Sequence, residues 1–200
     1  MTHKLVIGLL GGMGSGKSRV AAEFAKHGAC IINADQLGHD ALREPAIRDA
    51  LVQRWGREIL HANGDIARDS VAKIVFADEA ERRALETVVH PFITRRIREE
   101  IEKAQSDPTV RLVVLDAAIM LETGWDQVCD RLVYVHAPRA ARLRRLADQR
   151  GWSEKEVDAR EHAQISLTEK ATRADSAIDN SESPESLARQ VEDLLRQWGS

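Results

Sequence analysis

The 200-residue sequence predicts an α/β fold with a doubly wound, parallel, five-stranded sheet. Three observations support this fold class. Short apolar runs of the kind found in strands buried on both faces recur at residues 5–10, 30–32, 111–115, 131–135 and 177–178. Stretches with helical periodicity separate these runs, and a glycine-rich loop joins the first run to the first helix.

The beginning of the chain predicts a strand, a loop and a helix in that order. The apolar run at residues 5–10 is bounded by glycines. From Lys17 to Lys26, Val20 and Phe24 fall on one face at helical spacing, and Gly28 stands where a glycine commonly ends a helix. A second strand is expected at residues 30–32.

A long helical region follows the second strand, because residues 35–104 carry no strand signal. Turns are expected at Gly56 and at residues 63–65. The last helix of this region is predicted to begin near Pro91, since proline is favoured in the first turn, and to carry Ile93, Ile97 and Ile101 on one face. Residues 35–104 therefore form a helical insertion into a core made of residues 1–34, 105–138 and 172–200.

A second helical stretch, residues 139–171, is rich in arginine and contains the capping box formed by Ser153 and Glu156. The chain then returns to the short strand at residues 177–178. A final helix is predicted from Pro184 to Trp198. Its inward residues are Leu187, Val191, Leu194 and Leu195.

Composition excludes several functional classes. Hydrophobic residues make up 43% and charged residues 30% of the sequence, as in ordinary globular proteins. The 29 basic and 32 acidic side chains give a formal charge of -3, which argues against a polybasic chain that tracks nucleic acid or an anionic membrane. No run reaches the roughly 18 apolar residues of a membrane span, and the first apolar run is too short for the apolar region of a signal sequence and lacks a following cleavage site. We expect a cytoplasmic protein, and the sequence indicates no obligate protein partner.

The cysteines point to neither a disulfide framework nor a zinc site. Cys30 and Cys129 are far apart in the sequence, and no C-x-x-C motif or histidine cluster accompanies them. Both are expected to be reduced, buried thiols.

The strongest motif lies between the first strand and the first helix, where the chain matches G-x-x-x-x-G-K-S. A chance match somewhere in the sequence has odds of roughly 1% from average composition. Glycines allow backbone N–H groups to converge closely on phosphate oxygens, Lys17 adds positive charge for the β- and γ-phosphates, and the Ser18 hydroxyl can bind Mg²⁺. The motif therefore predicts a phosphate-binding loop (P-loop) formed by Gly11, Gly12, Met13, Gly14, Ser15, Gly16, Lys17 and Ser18.

Two aspartates follow predicted strands. If the third strand lies beside the first, the carboxylate of Asp116 emerges near the Mg²⁺ site, although an N-cap or a solvated strand end is the alternative. Asp35 is expected to close the second strand at the same edge of the sheet. There it can orient or deprotonate an acceptor hydroxyl, or cap the following helix.

Arginines crowd the start of the second helical stretch, at positions Arg139, Arg142, Arg144, Arg145 and Arg150. Such a cluster is commonly a solvated basic face. In a P-loop phosphotransferase, however, cations stabilise the charge that spreads over the transferring phosphoryl group. His90 precedes Pro91 and is a candidate ligand-binding residue. The alternative is that His90 is a structural residue at the start of a helix.

In this order, the motifs resemble those of the dephospho-CoA kinase family, whose members phosphorylate the ribose 3′-hydroxyl of dephospho-CoA. The resemblance covers nearly the whole chain and rests on residues 8–18, 34–35, 90–91, 115–122, 164–170, 174–175 and 178–180. It implies a nucleoside-monophosphate-kinase-like core, a CoA-binding insertion over residues 35–104 and a mobile lid over residues 139–171.

The resemblance also implies roles for individual residues. Asp35 corresponds to the general base toward the 3′-hydroxyl, Lys170 fits the second basic position of the lid, and Asn180 borders the adenine. The implied catalytic residues are Asp35, Lys17, Arg145 and Arg150, and the implied acceptor-binding residues are Asp35, His90, Pro91, Arg96, Leu121 and Glu122. Ser18 and Asp116 are expected to hold the Mg²⁺ that accompanies ATP, and the second substrate is dephospho-CoA.

Three segments depart from the family pattern. The usual Pro-Leu-Leu-Phe-Glu reads Ala-Ile-Met-Leu-Glu at residues 118–122, Arg142 replaces a glutamine, and no glycine follows Asn180. A P-loop specifies the donor and not the acceptor. A kinase of another small molecule, such as a nucleoside monophosphate or a sugar acid, and a nucleotide-binding switch without phosphotransfer are therefore the alternatives.

Overall fold

The computed structural model describes residues 3–199 and contains one parallel sheet with the strand order β2-β3-β1-β4-β5. The strands are β1 (Val6–Leu10), β2 (Ala29–Asn33), β3 (Leu112–Asp116), β4 (Arg131–His136) and β5 (Ser176–Asp179). The α-helices are α1 (Lys17–Lys26), α2 (Ala34–Ala41), α3 (Pro45–Trp55), α4 (Arg68–Ala77), α5 (Glu79–Ser106), α6 (Arg139–Arg150), α7 (Glu154–His162), α8 (Leu167–Arg173) and α9 (Pro184–Trp198). Short 3₁₀ helices occur at Arg57–Ile59 and Trp125–Val128.

The predicted parallel α/β sheet is confirmed. β1 lies at its centre between β3 and β4, and all neighbouring strands run parallel. Leu9 is paired with Asp116, so the carboxyl ends of β1 and β3 lie side by side. At that edge the chain leaves β1 to form the glycine loop.

The main core packs the sheet against two helices that the sequence predicted with the same bounds, α1 and α9. Burial of each large aliphatic or aromatic side chain contributes about 1.5–3 kcal/mol, so this cluster supplies much of the stability that fixes β1 and the start of α1. The cluster consists of Ile7, Leu9, Val20, Ala21, Phe24, Leu112, Val114, Val133, Val135, Ile178, Leu187, Val191, Leu194 and Leu195.

The chain divides into two compact units. The first runs up to Asn33 and resumes at Glu99, and the second comprises Ala34–Arg98. The second unit contains α2, α3, α4 and most of α5, with an isolated antiparallel bridge between Leu60 and Ile66. Leu51 and Ile59 are fully buried in it.

The predicted helix start near Pro91 is wrong, because α5 begins at Glu79 and runs through the proline. Proline lacks an N–H group, and a proline inside a helix costs about 3 kcal/mol. Val89, Ile93 and Ile97 are nonetheless buried at successive intervals of four residues, which places one apolar face on both sides of Pro91. Their burial, at about 1.5–3 kcal/mol each, exceeds the cost of the proline.

The expected place of Asp35 at the end of a strand is also wrong. β2 pairs with β3 only as far as Asn33, which lies opposite Asp116. Asp35 is the second residue of α2 and is exposed in the first turn of that helix.

Both cysteines are free thiols, as expected, but they are half-buried and not buried. Burial raises the pKa of the Cys129 thiol to about 12, and the carboxylates of Asp126 and Asp130 act in the same direction. The Cys129 thiol is therefore protonated at neutral pH and is a poor nucleophile.

The arginine-rich stretch forms three helices, α6, α7 and α8. The predicted capping box at the start of α7 is present, with Ser153 and Glu156 each bonded to the backbone of the other. Among residues 3–199, no helix has the length and apolar character needed to cross a membrane.

Candidate active site at the phosphate-binding loop

The glycine loop connects β1 to α1 and has a backbone that only glycine accommodates. Gly14 and Gly16 have φ angles of 72° and 87°. A Cβ atom on Gly14 would lie 2.7 Å from the carbonyl oxygen of Arg142, and one on Gly16 would lie 2.2 Å from Nδ2 of Asn180. Any side chain at these positions would displace the loop from its neighbours.

The loop leads directly into the N-terminus of α1, where Lys17 is the first helical residue. Gly16 caps the helix without a side-chain hydrogen bond, and the first turn contains no acidic residue. The N–H groups at the start of this helix and the helix dipole therefore favour an anion at this point.

Ser18 and Asp116 meet at the edge of the sheet. The Ser18 hydroxyl donates a hydrogen bond of 2.8 Å to Oδ2 of Asp116, whose side chain is buried at the end of β3. The pairing of β1 with β3 brings them together. A hydroxyl and a carboxylate are oxygen ligands of the kind Mg²⁺ prefers, and Mg²⁺ commonly takes its other ligands from phosphates and water. These two residues fit an ion that is bound together with a nucleotide.

Arg145 binds the loop from α6. Its Nη1 donates to the carbonyl oxygens of Gly14 and Ser15, at 3.1 Å each, and its Nη2 donates to the carbonyl oxygen of Asn180 at 2.9 Å. One of the two expected catalytic arginines therefore lies against the P-loop.

Arg150, the other expected catalytic arginine, lies at the exposed end of α6. Its guanidinium group lies 4.9 Å from the centre of the Trp152 ring, and Arg160 stacks against the same ring at 4.0 Å. In the structure Arg150 forms a cation–π contact with the Trp152 ring, just before the start of α7.

Asn180 follows β5 and is almost fully buried beneath the loop. Its Nδ2 donates to the carbonyl oxygen of Ser15 at 2.8 Å. Its Oδ1 and the hydroxyl of Ser15 are buried without a hydrogen-bond partner among residues 3–199. The structure thus connects this expected adenine neighbour to the P-loop backbone.

Sequence reasoning missed a second arginine contact with the loop. Arg142 was named only as one of the clustered arginines and as a departure from the family pattern, with no contact assigned to it. In the structure it is 5% exposed, and its Nη1 donates to the carbonyl oxygen of Met13 at 3.2 Å. The same nitrogen forms an ion pair with Glu161 of α7. The signal was present in the spacing, because Arg142 and Arg145 are three residues apart and share one face of α6.

Leu121 and Glu122, which were expected to bind the acceptor, lie in the segment after β3. Leu121 is buried. Oε1 of Glu122 accepts a hydrogen bond of 2.9 Å from the Ile165 N–H and lies 3.2 Å from Nζ of Lys170. Lys170 is 2% exposed and also donates to the Ala118 carbonyl oxygen and to Gln164. Glu122 therefore links this segment to the expected lid.

The remaining expected acceptor residues belong to the second unit. Asp35 is exposed on α2, whereas His90, Pro91 and Arg96 lie on α5. Burial lowers the pKa of His90, and the carboxylate of Glu86 opposes this effect only in part. His90 is therefore neutral at pH 7.

Comparisons with known sequences identify one family. A family model described as dephospho-CoA kinase matches residues 5–185. The dephospho-CoA kinase of Geobacillus kaustophilus is 38% identical over 97% of this chain and 96% of its own length. That of Symbiobacterium thermophilum is 37% identical over 96% of this chain and 80% of its own length.

Solved structures share the fold. A Thermus thermophilus protein superposes with a TM-score of 0.80 at 33% identity and covers 98% of each chain. A dephospho-CoA kinase from Campylobacter jejuni has a TM-score of 0.71 at 22% identity over 96% of each chain. A shikimate kinase from Acinetobacter baumannii has a TM-score of 0.54 at 19% identity, over 97% of this chain and 94% of its own, and shares the fold alone.

Proposed function

This chain belongs to the dephospho-CoA kinase family, and we propose that it transfers the γ-phosphoryl group of ATP to the ribose 3′-hydroxyl of dephospho-CoA, giving coenzyme A and ADP. The observation that carries the proposal is the P-loop with its Ser18 to Asp116 contact, within a chain that the family model matches from residue 5 to residue 185. The loop supports ATP as the phosphoryl donor, and membership of the family supports dephospho-CoA as the acceptor.

The nucleotide site is proposed to consist of residues 11–18 together with Asn180. Backbone N–H groups of the loop bind the phosphates, and Lys17 places its ammonium group on the β- and γ-phosphates. Ser18 and Asp116 hold Mg²⁺, which when bound neutralises charge on the phosphate oxygens. Arg145 and Arg150 are proposed as the cationic groups of the lid.

Asp35 is proposed as the general base. Its carboxylate takes the proton of the 3′-hydroxyl while the hydroxyl oxygen bonds to the γ-phosphorus and the bond between that phosphorus and the β–γ bridging oxygen breaks. His90, Pro91, Arg96, Leu121 and Glu122 are proposed to contact the acceptor. The exposure of Asp35 supports this role, because the carboxylate is accessible to a ligand.

The reaction is proposed to occur in the cytoplasm. Two free cysteines in a chain of this size are consistent with a reducing compartment. ATP and dephospho-CoA are the expected small-molecule partners.

The test is ADP release from MgATP in a coupled assay with dephospho-CoA as the acceptor. Nucleoside monophosphates, shikimate, gluconate and an acceptor-free reaction are run in parallel. We expect release to depend on dephospho-CoA and mass spectrometry to find one added phosphate on the product. Turnover driven by another acceptor would overturn the substrate, and slow hydrolysis unaffected by any acceptor would favour a nucleotide-binding switch.

A further inference from the structure

Two arginines of α6 donate hydrogen bonds to consecutive backbone carbonyl groups of the P-loop. Arg142 donates to Met13, and Arg145 donates to Gly14 and Ser15. In a trans peptide the C=O of one residue and the N–H of the next point in opposite directions. A guanidinium group that fixes a loop carbonyl therefore also fixes the direction of the following N–H.

We propose that Arg142, held by Glu161, is a positioning residue of the nucleotide site. By binding the Met13 carbonyl it turns the Gly14 N–H toward the phosphates. Arg142 itself does not touch the nucleotide. The inference rests on the proposed function, because it requires ATP to bind at this loop.

Burial and close packing distinguish this arginine from a solvated one. Arg142 is 5% exposed, and a Cβ atom on Gly12 would lie 2.8 Å from its Nη1. The guanidinium group therefore packs directly on the loop. By contrast, Arg144 on the same helix is exposed and contributes to neither contact.

The ion pair with Glu161 explains how this charge is kept in place. A buried guanidinium group without a partner is costly, and one that is paired and hydrogen-bonded is tolerated. Nη1 carries two hydrogens, so it donates to Glu161 and to Met13 at once. Glu161 of α7 accepts one of these two hydrogens, and the other is directed at the Met13 carbonyl oxygen of the loop.

Comparing the binding of MgADP and MgATP distinguishes a positioning role for Arg142 from a direct contact between Arg142 and the γ-phosphate. The backbone cradle of a P-loop holds the α- and β-phosphates, which ADP and ATP share. Dissociation constants of MgADP and MgATP are measured for the wild type, Arg142→Gln and Glu161→Gln, with Arg144→Gln as the matched control. We expect Arg142→Gln to weaken both nucleotides equally, by about tenfold, the worth of one hydrogen bond to a charged group. Glu161→Gln should weaken both nucleotides equally to a smaller extent, and the control should match the wild type.

Steady-state kinetics provides the second measurement. Because the cradle holds phosphates alike in the ground state and the transition state, Arg142→Gln should raise the KM for ATP and leave kcat and the KM for dephospho-CoA near wild type. The double variant Arg142→Gln/Glu161→Gln, which buries no unpaired charge, should show the same split if the single variants fold poorly.

Three results would overturn the proposal. Loss of MgATP affinity with MgADP unchanged would mean that Arg142 touches the γ-phosphate. A parallel rise in the KM for dephospho-CoA would mean a general structural role, and wild-type behaviour of both the single and the double variant would mean no role. If the wild type itself fails to bind MgATP, the proposed function fails instead, so the two ideas are separable.

Discussion

The P-loop and the expected helical insertion differ in how their candidate functional groups are held. At the loop, the carbonyl groups of three consecutive residues accept hydrogen bonds from Arg142, Arg145 and Asn180, and Ser18 is bonded to Asp116. In the insertion, the principal candidate, Asp35, is exposed in the first turn of a helix. The proposed phosphate-binding groups are preorganised by the protein, whereas the proposed base is accessible to solvent.

This difference separates the expected effects of substitutions. A preorganised loop lowers the reorganisation needed when phosphates bind, so its residues act on nucleotide affinity. As the proposed general base, Asp35 is instead expected to act on the chemical step. Measurements of affinity and of turnover on the same variants test the comparison directly.

The largest effect is expected at Lys17. Lys17→Ala should lose both MgATP binding and turnover, with kcat/KM lower by about 10³-fold or more, because it removes a charge proposed to contact the phosphates in the ground state and in the transition state. Titration calorimetry with MgATP and the coupled assay check this outcome. Lys26→Gln, at the exposed end of the same helix, is the control. Unchanged binding of ATP by Lys17→Ala would remove the P-loop assignment.

A smaller and more selective effect is expected at Asp35. Asp35→Asn should keep the wild-type affinity for MgATP and lower kcat by about 10²-fold or more, as expected when general-base assistance is lost. Asp40→Asn on the same helix is the matched control. Turnover close to wild type would exclude Asp35 as the base, and a joint loss of ATP affinity would erase the contrast between the two regions.

The sequence predicted the fold most accurately in the segments whose glycine, proline and apolar patterns were strong. The strand, glycine loop and helix over residues 6–26 and the last helix, α9, have glycine, proline and apolar spacings that agree with one another. In α5 they conflict, since Pro91 marks a helix start whereas Val89, Ile93 and Ile97 continue one face through it. The structure follows the buried face, as tertiary packing outweighs a local preference.

The candidate site was predictable from the sequence where one short segment both contains the functional residues and shows where they lie in the fold. Residues 11–18 carry their own motif, and the end of β3 locates Asp116. The ion pair between Arg142 and Glu161 spans two helices, and nothing in either helix alone identifies the partner. Likewise, the contact of Glu122 with the buried Lys170 depends on the packing of α8 beside the segment after β3.

The smallest expected effect concerns the insertion and its stability toward acid. Burial lowers the pKa of His90 below its usual value of 6.5, so the folded state binds a proton at this side chain less readily than the unfolded state does. The stability contribution is therefore fully present above pH 6.5 and is lost as the pH falls through the lowered pKa of the folded state. His90→Asn should reduce the loss of unfolding free energy between pH 7.5 and about pH 5.

Urea denaturation of the wild type and the variant at several pH values measures this effect. His61→Asn is the matched control, because His61 is an exposed histidine of the same unit. Burial also lowers the pKa of His39 on α2, with Arg68 adding to the shift, so His90→Asn should remove part of the pH dependence of stability and His90→Asn/His39→Asn should remove more.

Nucleotide affinity should follow the wild-type pH profile in both variants, since the P-loop contacts described above involve neither histidine. A variant that flattened the pH dependence of ATP binding as well would show that acid acts on the insertion and on the loop together, and the separation between preorganised donor groups and an accessible acceptor region would then fail.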